Sequence, residues 1–278
     1  MPPGHVQGEL EGARGVRLFW QGWLPETPPD GLLLICHGLG EHSGRYRTVV
    51  DALLPSGWAV YGFDLRGHGR STGRRAHLES YDEWLADLET FRRLATSRHP
   101  GLPAFLLGHS MGGQIALAYA LTRQDELAGL VLSAPALASN AVPRAVVPAL
   151  RRLARVVPTL RPAGIDPTKI SKDPAVVADY RADPLVHHGN PTLALSAALF
   201  GQFDVLPERA RELRLPVLLQ HGLDDGLTEP AGSRRLAAAC GSADLSVCWY
   251  EGLWHEIYHE PERAGPLADL RDWLAAHR

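Results

Sequence analysis

Short apolar runs alternate with longer helical patterns along most of the chain, and that alternation is the tightest constraint on its fold. The runs at residues 16–20, 32–36, 58–63, 104–107, 129–132, 216–220 and 245–249 read as strands. Most are apolar on both faces, as strands buried on both sides of a parallel sheet are. Helical patterns fall between them at about 46–54, 81–98, 111–122, 232–239 and 266–276. The expectation is an α/β fold with a mostly parallel central sheet flanked by helices. No repeat of fixed period and no low-complexity tract interrupts it.

One stretch breaks the rhythm. Residues 136–203 carry Pro143, Pro148, Pro158, Pro162, Pro167, Pro174, Pro184 and Pro191. Prolines at that density forbid one long helix and imply short helices joined by turns. An insertion between strands of such a sheet sits over their carboxyl ends, where ligands bind. The expected organisation is a core of residues 1–135 and 204–278 with a helical cap, or lid, at 136–203.

The 278 residues are 45% hydrophobic and 21% charged, with a formal net charge of −3. This composition excludes a largely disordered chain and a domain-wide basic footprint for nucleic acid. Three cysteines, Cys36, Cys240 and Cys248, form no C-x-x-C pair, so a disulfide framework is not expected. The first residues lack a basic and an apolar region of a signal peptide, and no apolar run reaches about 18 residues. A cytoplasmic protein is the expectation.

Gly108-His109-Ser110-Met111-Gly112 lies between a predicted strand and a predicted helix. A G-x-S-x-G turn in that context lifts the serine hydroxyl out of a strained bend. The helix start beneath it offers free N–H groups to a developing anion. A serine hydroxyl needs a base to act as nucleophile at neutral pH. In this arrangement the acid and then the histidine follow the serine along the chain. Among 13 histidines, His255 follows the last predicted strand and is the expected base, with His259 as the lesser candidate. The acid is Asp224 or Asp225, since adjacent residues cannot both face one imidazole. Two backbone N–H groups form the expected oxyanion hole: Met111, and Leu39 in the loop His37-Gly38-Leu39-Gly40.

Two other features have plainer readings. The loop Asp64-Leu65-Arg66-Gly67-His68-Gly69 lacks the register of a phosphate cradle and reads as a turn locked by its own side chains. His187-His188 reads as a surface pair, because sequence neighbours rarely face one ion.

These residues together resemble the monoacylglycerol lipase family of serine hydrolases, from about residue 34 to residue 260. The resemblance rests on the run from His37 to Tyr46, on Asp64-Leu65-Arg66-Gly67-His68-Gly69, on Gly108 to Gly113, on Ser133-Ala134-Pro135 and on His255-Glu256-Ile257-Tyr258. The segments Ser171 to Pro174 and Tyr180 to Val186 are similar to the family's lid. The resemblance implies an α/β-hydrolase fold and the triad Ser110, Asp225 and His255, with H-G-x-x-D spacing selecting Asp225. It implies Leu39 and Met111 at the oxyanion hole, and a glycerol pocket built on Glu41, Arg45 and Tyr180. Mammalian members carry a further histidine where this chain has Tyr258, whose phenol can also make hydrogen bonds. The implied reaction cleaves a monoacylglycerol to glycerol and fatty acid through an acyl-enzyme, with no cofactor or metal. A general carboxylesterase or lysophospholipase with the same triad is the alternative.

The partners expected are a small lipid substrate and no nucleic acid. Val146, Val147, Leu150, Leu153, Val157, Leu193, Leu195 and Leu199 are candidates for lining an acyl tunnel. Apolar residues at helical spacing over 142–160, with Arg144, Arg151, Arg152 and Arg155 among them, fit peripheral membrane contact through the cap or a helix packed on the core.

Overall fold

The computed structural model describes residues 4–139, 144–162 and 164–278. Eight strands form one sheet in the order β1-β2-β4-β3-β5-β6-β7-β8. They are β1 (His5–Glu11), β2 (Arg17–Trp23), β3 (Gly31–Cys36), β4 (Trp58–Phe63), β5 (Ala104–His109), β6 (Gly129–Ser133), β7 (Val217–Gly222) and β8 (Leu245–Tyr250). From β4 to β8 all neighbours are parallel, whereas β1 pairs antiparallel with β2 and β2 with β4.

Period-two alternation divides the apolar strands between two cores. Leu32, Leu34, Leu106, Leu130, Leu132 and Leu219 point to one face. There they meet Trp84, Leu88 and Phe91 of α2 (Tyr81–Arg98) and Ile115 of α3 (Met111–Arg123). Leu33, Ile35, Leu107, Val131 and Leu218 point to the other face. Their partners include Val49, Val50 and Leu53 of α1 (Arg47–Leu53) and Leu270, Trp273 and Leu274 of the C-terminal helix Ala264–Ala276. Helix α2 begins at a capping box, Ser80 with Glu83, and buries Trp84, Leu88, Phe91 and Ala95 at helical spacing.

Two strand assignments change. β1 has no counterpart in the sequence reading, because its half-buried edge alternates with charged residues and Gly8. β2 continues through Gln21 and Gly22 to Trp23. Gly22 lies flat against the Tyr61 ring, where a Cβ would come within 2.5 Å, so this glycine continues the strand where it read as a break.

Between β6 and β7 the chain makes its long excursion. It contains α4 (Val147–Val156), α5 (Pro174–Ala182) and α6 (Leu193–Phe200), and α7 (Val205–Arg209) follows it. One guanidinium marks where it leaves and returns: Arg235, on α8 (Pro230–Ala239), donates to the carbonyls of Leu137 and Phe203 at 3.2 and 2.9 Å. Pro143 and the start of the 142–160 pattern lie outside the described residues.

Candidate active site

Ser110 sits between β5 and α3 with φ 54° and ψ −120°, a conformation that L-residues rarely adopt. Three glycines make the bend possible. A Cβ on Gly108 would come within 2.4 Å of the Gly112 carbonyl oxygen, and one on Gly113 within 2.9 Å of Pro135. One on Gly112 would lie 2.0 Å from the Cys36 carbonyl oxygen. The bend is fastened to the end of β6. The Ser110 N–H donates to the Ser133 carbonyl at 3.0 Å, and the Ala136 N–H donates to the Ser110 carbonyl at 2.9 Å. Met111 is the first residue of α3, so its N–H belongs to the first turn, which has no intrahelical acceptor.

Asp225 and His255 come together from the loops after β7 and β8. His255 Nδ1 lies 2.7 Å from Asp225 Oδ2. Asp225 is otherwise held by Thr228 and Leu227: its Oδ1 accepts from the two amides at 2.9 and 2.8 Å, and its Oδ2 accepts from the Thr228 hydroxyl at 2.7 Å. His221 Nε2 also stands 3.2 Å from Oδ2. Burial favours the neutral acid, yet the His255 and His221 partners hold the Asp225 carboxyl far below the ordinary range. Burial likewise disfavours a charged His255, and Asp225 outweighs it, raising the imidazole above its ordinary value. The neighbouring Asp224 is exposed. His259 turns elsewhere: its ring meets the Arg45 carbonyl at 2.8 Å and Glu256 at 3.2 Å.

A cavity of about 270 Å³ is lined by Ser110, His255, Leu39, Glu41, Tyr180 and Glu256, among others. A second space of about 450 Å³ adjoins it through Leu39, Ile165 and Tyr180, with His187 and His188 on its wall. The β6–β7 excursion thus supplies Ile165, Ile170 and Tyr180 to the chamber that holds the serine. His187 is half-buried there and not simply a surface residue. Among the described residues no group of three or more His, Cys, Asp or Glu is placed to hold a metal ion.

The loop carrying Leu39 is braced from several sides. His37 Nε2 accepts from the Leu65 N–H at 2.9 Å. Asp64 Oδ1 accepts from the amide and hydroxyl of Ser43 at 2.8 and 2.6 Å. Gly40 passes its carbonyl to the His187 N–H at 2.7 Å. The Asp64–Gly69 turn therefore acts as a brace for this loop, with Arg66 paired to Asp87 and Glu83 behind it.

The expected glycerol pocket is only partly assembled. Glu41 lines the serine cavity. Its Oε1 accepts from the Gly38 N–H at 2.5 Å and the Tyr46 hydroxyl at 2.8 Å. Burial opposes ionisation of Glu41, but the Arg45 charge prevails and holds its carboxyl low. Tyr180 also lines the cavity. Arg45 does not: its guanidinium binds Glu256 through Nη1 and Nη2 at 2.6 and 2.8 Å, and Glu41 through Nη1 at 3.1 Å. Tyr258 does not line the serine cavity but borders an adjoining space of about 200 Å³ with Glu41, His109 and Glu256. Its hydroxyl donates to Gln220 of β7, inside the second core, because the turn after His255 swings this side chain under the sheet. The acyl-tunnel candidates also change place. Val146, Leu153 and Val157 are exposed, while Leu195 and Leu199 are buried in the core with Leu206 and Leu236. None of them lines the serine cavity. Thr228 lies in no motif, and the motifs that contain His221 and Glu256 assign neither a role of its own. Only their tertiary contacts reveal them.

A mostly parallel sheet with a serine in a strand-to-helix elbow and a histidine after the last strand defines an α/β-hydrolase of the serine hydrolase type. Residues 27–262 match the family described as "Serine aminopeptidase, S33". The chain is 40% identical over 267 residues to the monoacylglycerol lipase of Mycolicibacterium smegmatis, covering 96% of this chain and 95% of that one. It is 32% identical over 253 residues to the human monoglyceride lipase, covering 90% and 84%. The crystal structure of Paleococcus ferrophilus monoacylglycerol lipase superposes with a TM-score of 0.85 at 35% identity, covering 94% of this chain and 99% of that one. The chain belongs to the serine aminopeptidase S33 family, and within it to the monoacylglycerol lipases.

Proposed function

We infer that the protein hydrolyses monoacylglycerols by two-step acyl transfer, with Ser110, Asp225 and His255 as the triad. His255 Nε2 takes the Ser110 proton as the oxygen attacks the ester carbonyl. Asp225 fixes the tautomer through Nδ1 and stabilises the imidazolium. The Met111 and Leu39 amides hold the oxyanion. Collapse expels glycerol, which accepts the proton from His255. Water, deprotonated by the same imidazole, then releases the fatty acid.

The observation that carries this reading is the convergence of Ser110, His255 and Glu41 on one cavity in a chain of this family. Glu41 and Tyr180 are the residues we assign to the glycerol hydroxyls. Arg45 acts there at most through Glu41. Among the described residues neither cavity is lined by a lysine or arginine, which disfavours the phosphate of a lysophospholipid. A general carboxylesterase is the second reading, favoured by the Tyr258 hydroxyl being engaged by Gln220 and Arg45 by Glu256.

The β6–β7 excursion, residues 136–203, is assigned as the cap. Among the described residues no helix is long and apolar enough to cross a membrane. Peripheral contact through α4 fits its exposed Leu153 and Val156 beside Arg151, Arg152 and Arg155.

The test compares fatty-acid release from a medium-chain monoacylglycerol, the matching diacylglycerol, a lysophospholipid and a simple alkyl ester, using wild type and Ser110→Ala. Monoacylglycerol preference and a loss of several orders of magnitude in the variant are expected. Equal rates on all esters would demote the protein to a general esterase. Unchanged turnover in Ser110→Ala would remove the nucleophile.

A further inference from the structure

Directly behind the serine cavity, three segments distant in sequence meet at one buried guanidinium. Arg45 comes from the loop that carries Leu39. Glu256 follows His255 immediately. Tyr180 comes from α5, and its ring lies under the Arg45 guanidinium at 4.8 Å. The side chains of Arg45, Glu41 and Glu256 are 9%, 4% and 5% exposed, so these charges sit away from solvent screening. Both carboxylate oxygens of Glu256 engage Arg45, at 2.6 and 2.8 Å. A paired fork of this kind fixes direction as well as distance. His259 adds a second tie between the same two loops by reaching the Arg45 carbonyl at 2.8 Å. The Glu256 N–H, in turn, donates to the Ile170 carbonyl at 2.8 Å, so the histidine loop is also fastened to the excursion.

The sequence resemblance gives Arg45 to the substrate. The structure gives it to Glu256. We propose that Glu256 is a positioning residue: through its bidentate pair with Arg45 it sets the spacing between the loop bearing the Leu39 oxyanion donor and the loop bearing His255. This rests on the assignment of Leu39 and His255 made above. Oxyanion stabilisation demands donors within a few tenths of an ångström of the developing charge. The two loops descend from β3 and β8, which have β5, β6 and β7 between them in the sheet. Sheet pairing alone does not tie their tips together, and the Arg45–Glu256 fork does. Two carboxylates around one guanidinium also leave excess negative charge beside His255, and Glu256 is among the charges that favour its imidazolium.

The test uses the full chain with Glu256→Gln, Glu256→Asp and Arg45→Lys, checked for folding by circular dichroism. Rates are measured on a monoacylglycerol and on a simple alkyl ester of the same acyl chain. In Glu256→Gln, kcat is expected to fall roughly tenfold to a hundredfold, by the same factor on both esters, with little change in KM. The acid limb of kcat/KM moves to lower pH, because a negative charge beside His255 is gone. Glu256→Asp keeps the charge but cannot span both nitrogens, so it loses kcat while its acid limb stays in place. Arg45→Lys, which lacks the fork, also loses kcat on both esters. Wild-type kcat in a folded Glu256→Gln, or a loss confined to the monoacylglycerol, overturns the proposal, the latter by making this a head-group contact. If Glu256→Gln does not fold, Glu256→Asp and Arg45→Lys decide between the same two outcomes. A wild type that neither hydrolyses esters nor is labelled at Ser110 by a fluorophosphonate sinks the proposed function first, and this inference with it.

Discussion

Asp225 accepts from two amides, one hydroxyl and the His255 ring, a degree of fixation that makes its charge and its direction inseparable. Replacing it with Asn preserves the volume but removes the charge and allows the wrong imidazole tautomer. Asp225→Asn is expected to lower turnover by roughly 10³–10⁴-fold while the fold stays intact. Stopped assays together with fluorophosphonate labelling measure this, and near-wild-type labelling in the variant would remove Asp225 from the triad. At this scale the sequence was informative where chemistry demands a fixed spacing. Gly108, Ser110 and Gly112 are readable because any Cβ at Gly112 would strike the Cys36 carbonyl. Glu256 was not readable, because its partner Arg45 lies 211 residues away in the chain. Tyr258 was misplaced for a related reason. A position aligned by motif says nothing about which way a turn carries its side chain.

At the scale of elements, strands with two buried faces were legible from their unbroken apolar runs, and α2 from its spacing and its capping pair. The edge strand β1 was not, because one of its faces is exposed and carries Gln7, Glu9 and Glu11, so charge replaces the apolar signal. Helix α4 shows a different limit. Its periodicity marks an amphipathic helix but does not say which medium its apolar residues meet. The structure leaves Val156 79% exposed and Leu153 45% exposed, while α6 turns Leu195 and Leu199 inward. If α4 touches a lipid surface, Val156→Glu with Leu153→Glu should reduce hydrolysis of monoacylglycerol presented in anionic vesicles. Turnover of a water-soluble short-chain ester should be untouched. Each buried leucine-sized side chain is worth about 1.5–3 kcal/mol, so the pair should weaken vesicle binding by more than tenfold. Equal rates on vesicles for variant and wild type, measured by sedimentation and fatty-acid release, would assign α4 to some other surface.

Across the whole molecule, buried imidazoles set the response to acid. Burial, aided by the His255 charge, pushes His109 down to about 4, and burial with the neighbouring His37 pushes His68 down to about 3. Both ordinarily titrate near 6.5. As pH falls below that value the unfolded chain takes up protons that the folded chain refuses, so stability falls between about pH 6.5 and about pH 4. His255 acts in the opposite sense. Its raised value contributes stability that is full below the unfolded value and is lost as pH rises through the folded one. Asp225 holds its charge throughout this window, and its contribution is lost only at far lower pH. Calorimetric Tm should therefore decline across the window, and the ring protons of His68 and His109 should not titrate between about pH 8 and about pH 5. Titration of either ring near pH 6.5 would contradict the burial argument.

The Arg235 guanidinium that grips both Leu137 and Phe203 has an evolutionary consequence. It brings the two ends of a segment more than sixty residues long within reach of one side chain. With its ends so held, the entropy of closing that segment rises only with the logarithm of its length. Material can be added to it, deleted from it or replaced wholesale while the strands on either side keep their register. Descendants of this chain are free to exchange the proposed cap as a cassette and so acquire new substrates without rebuilding the proposed nucleophile, Ser110.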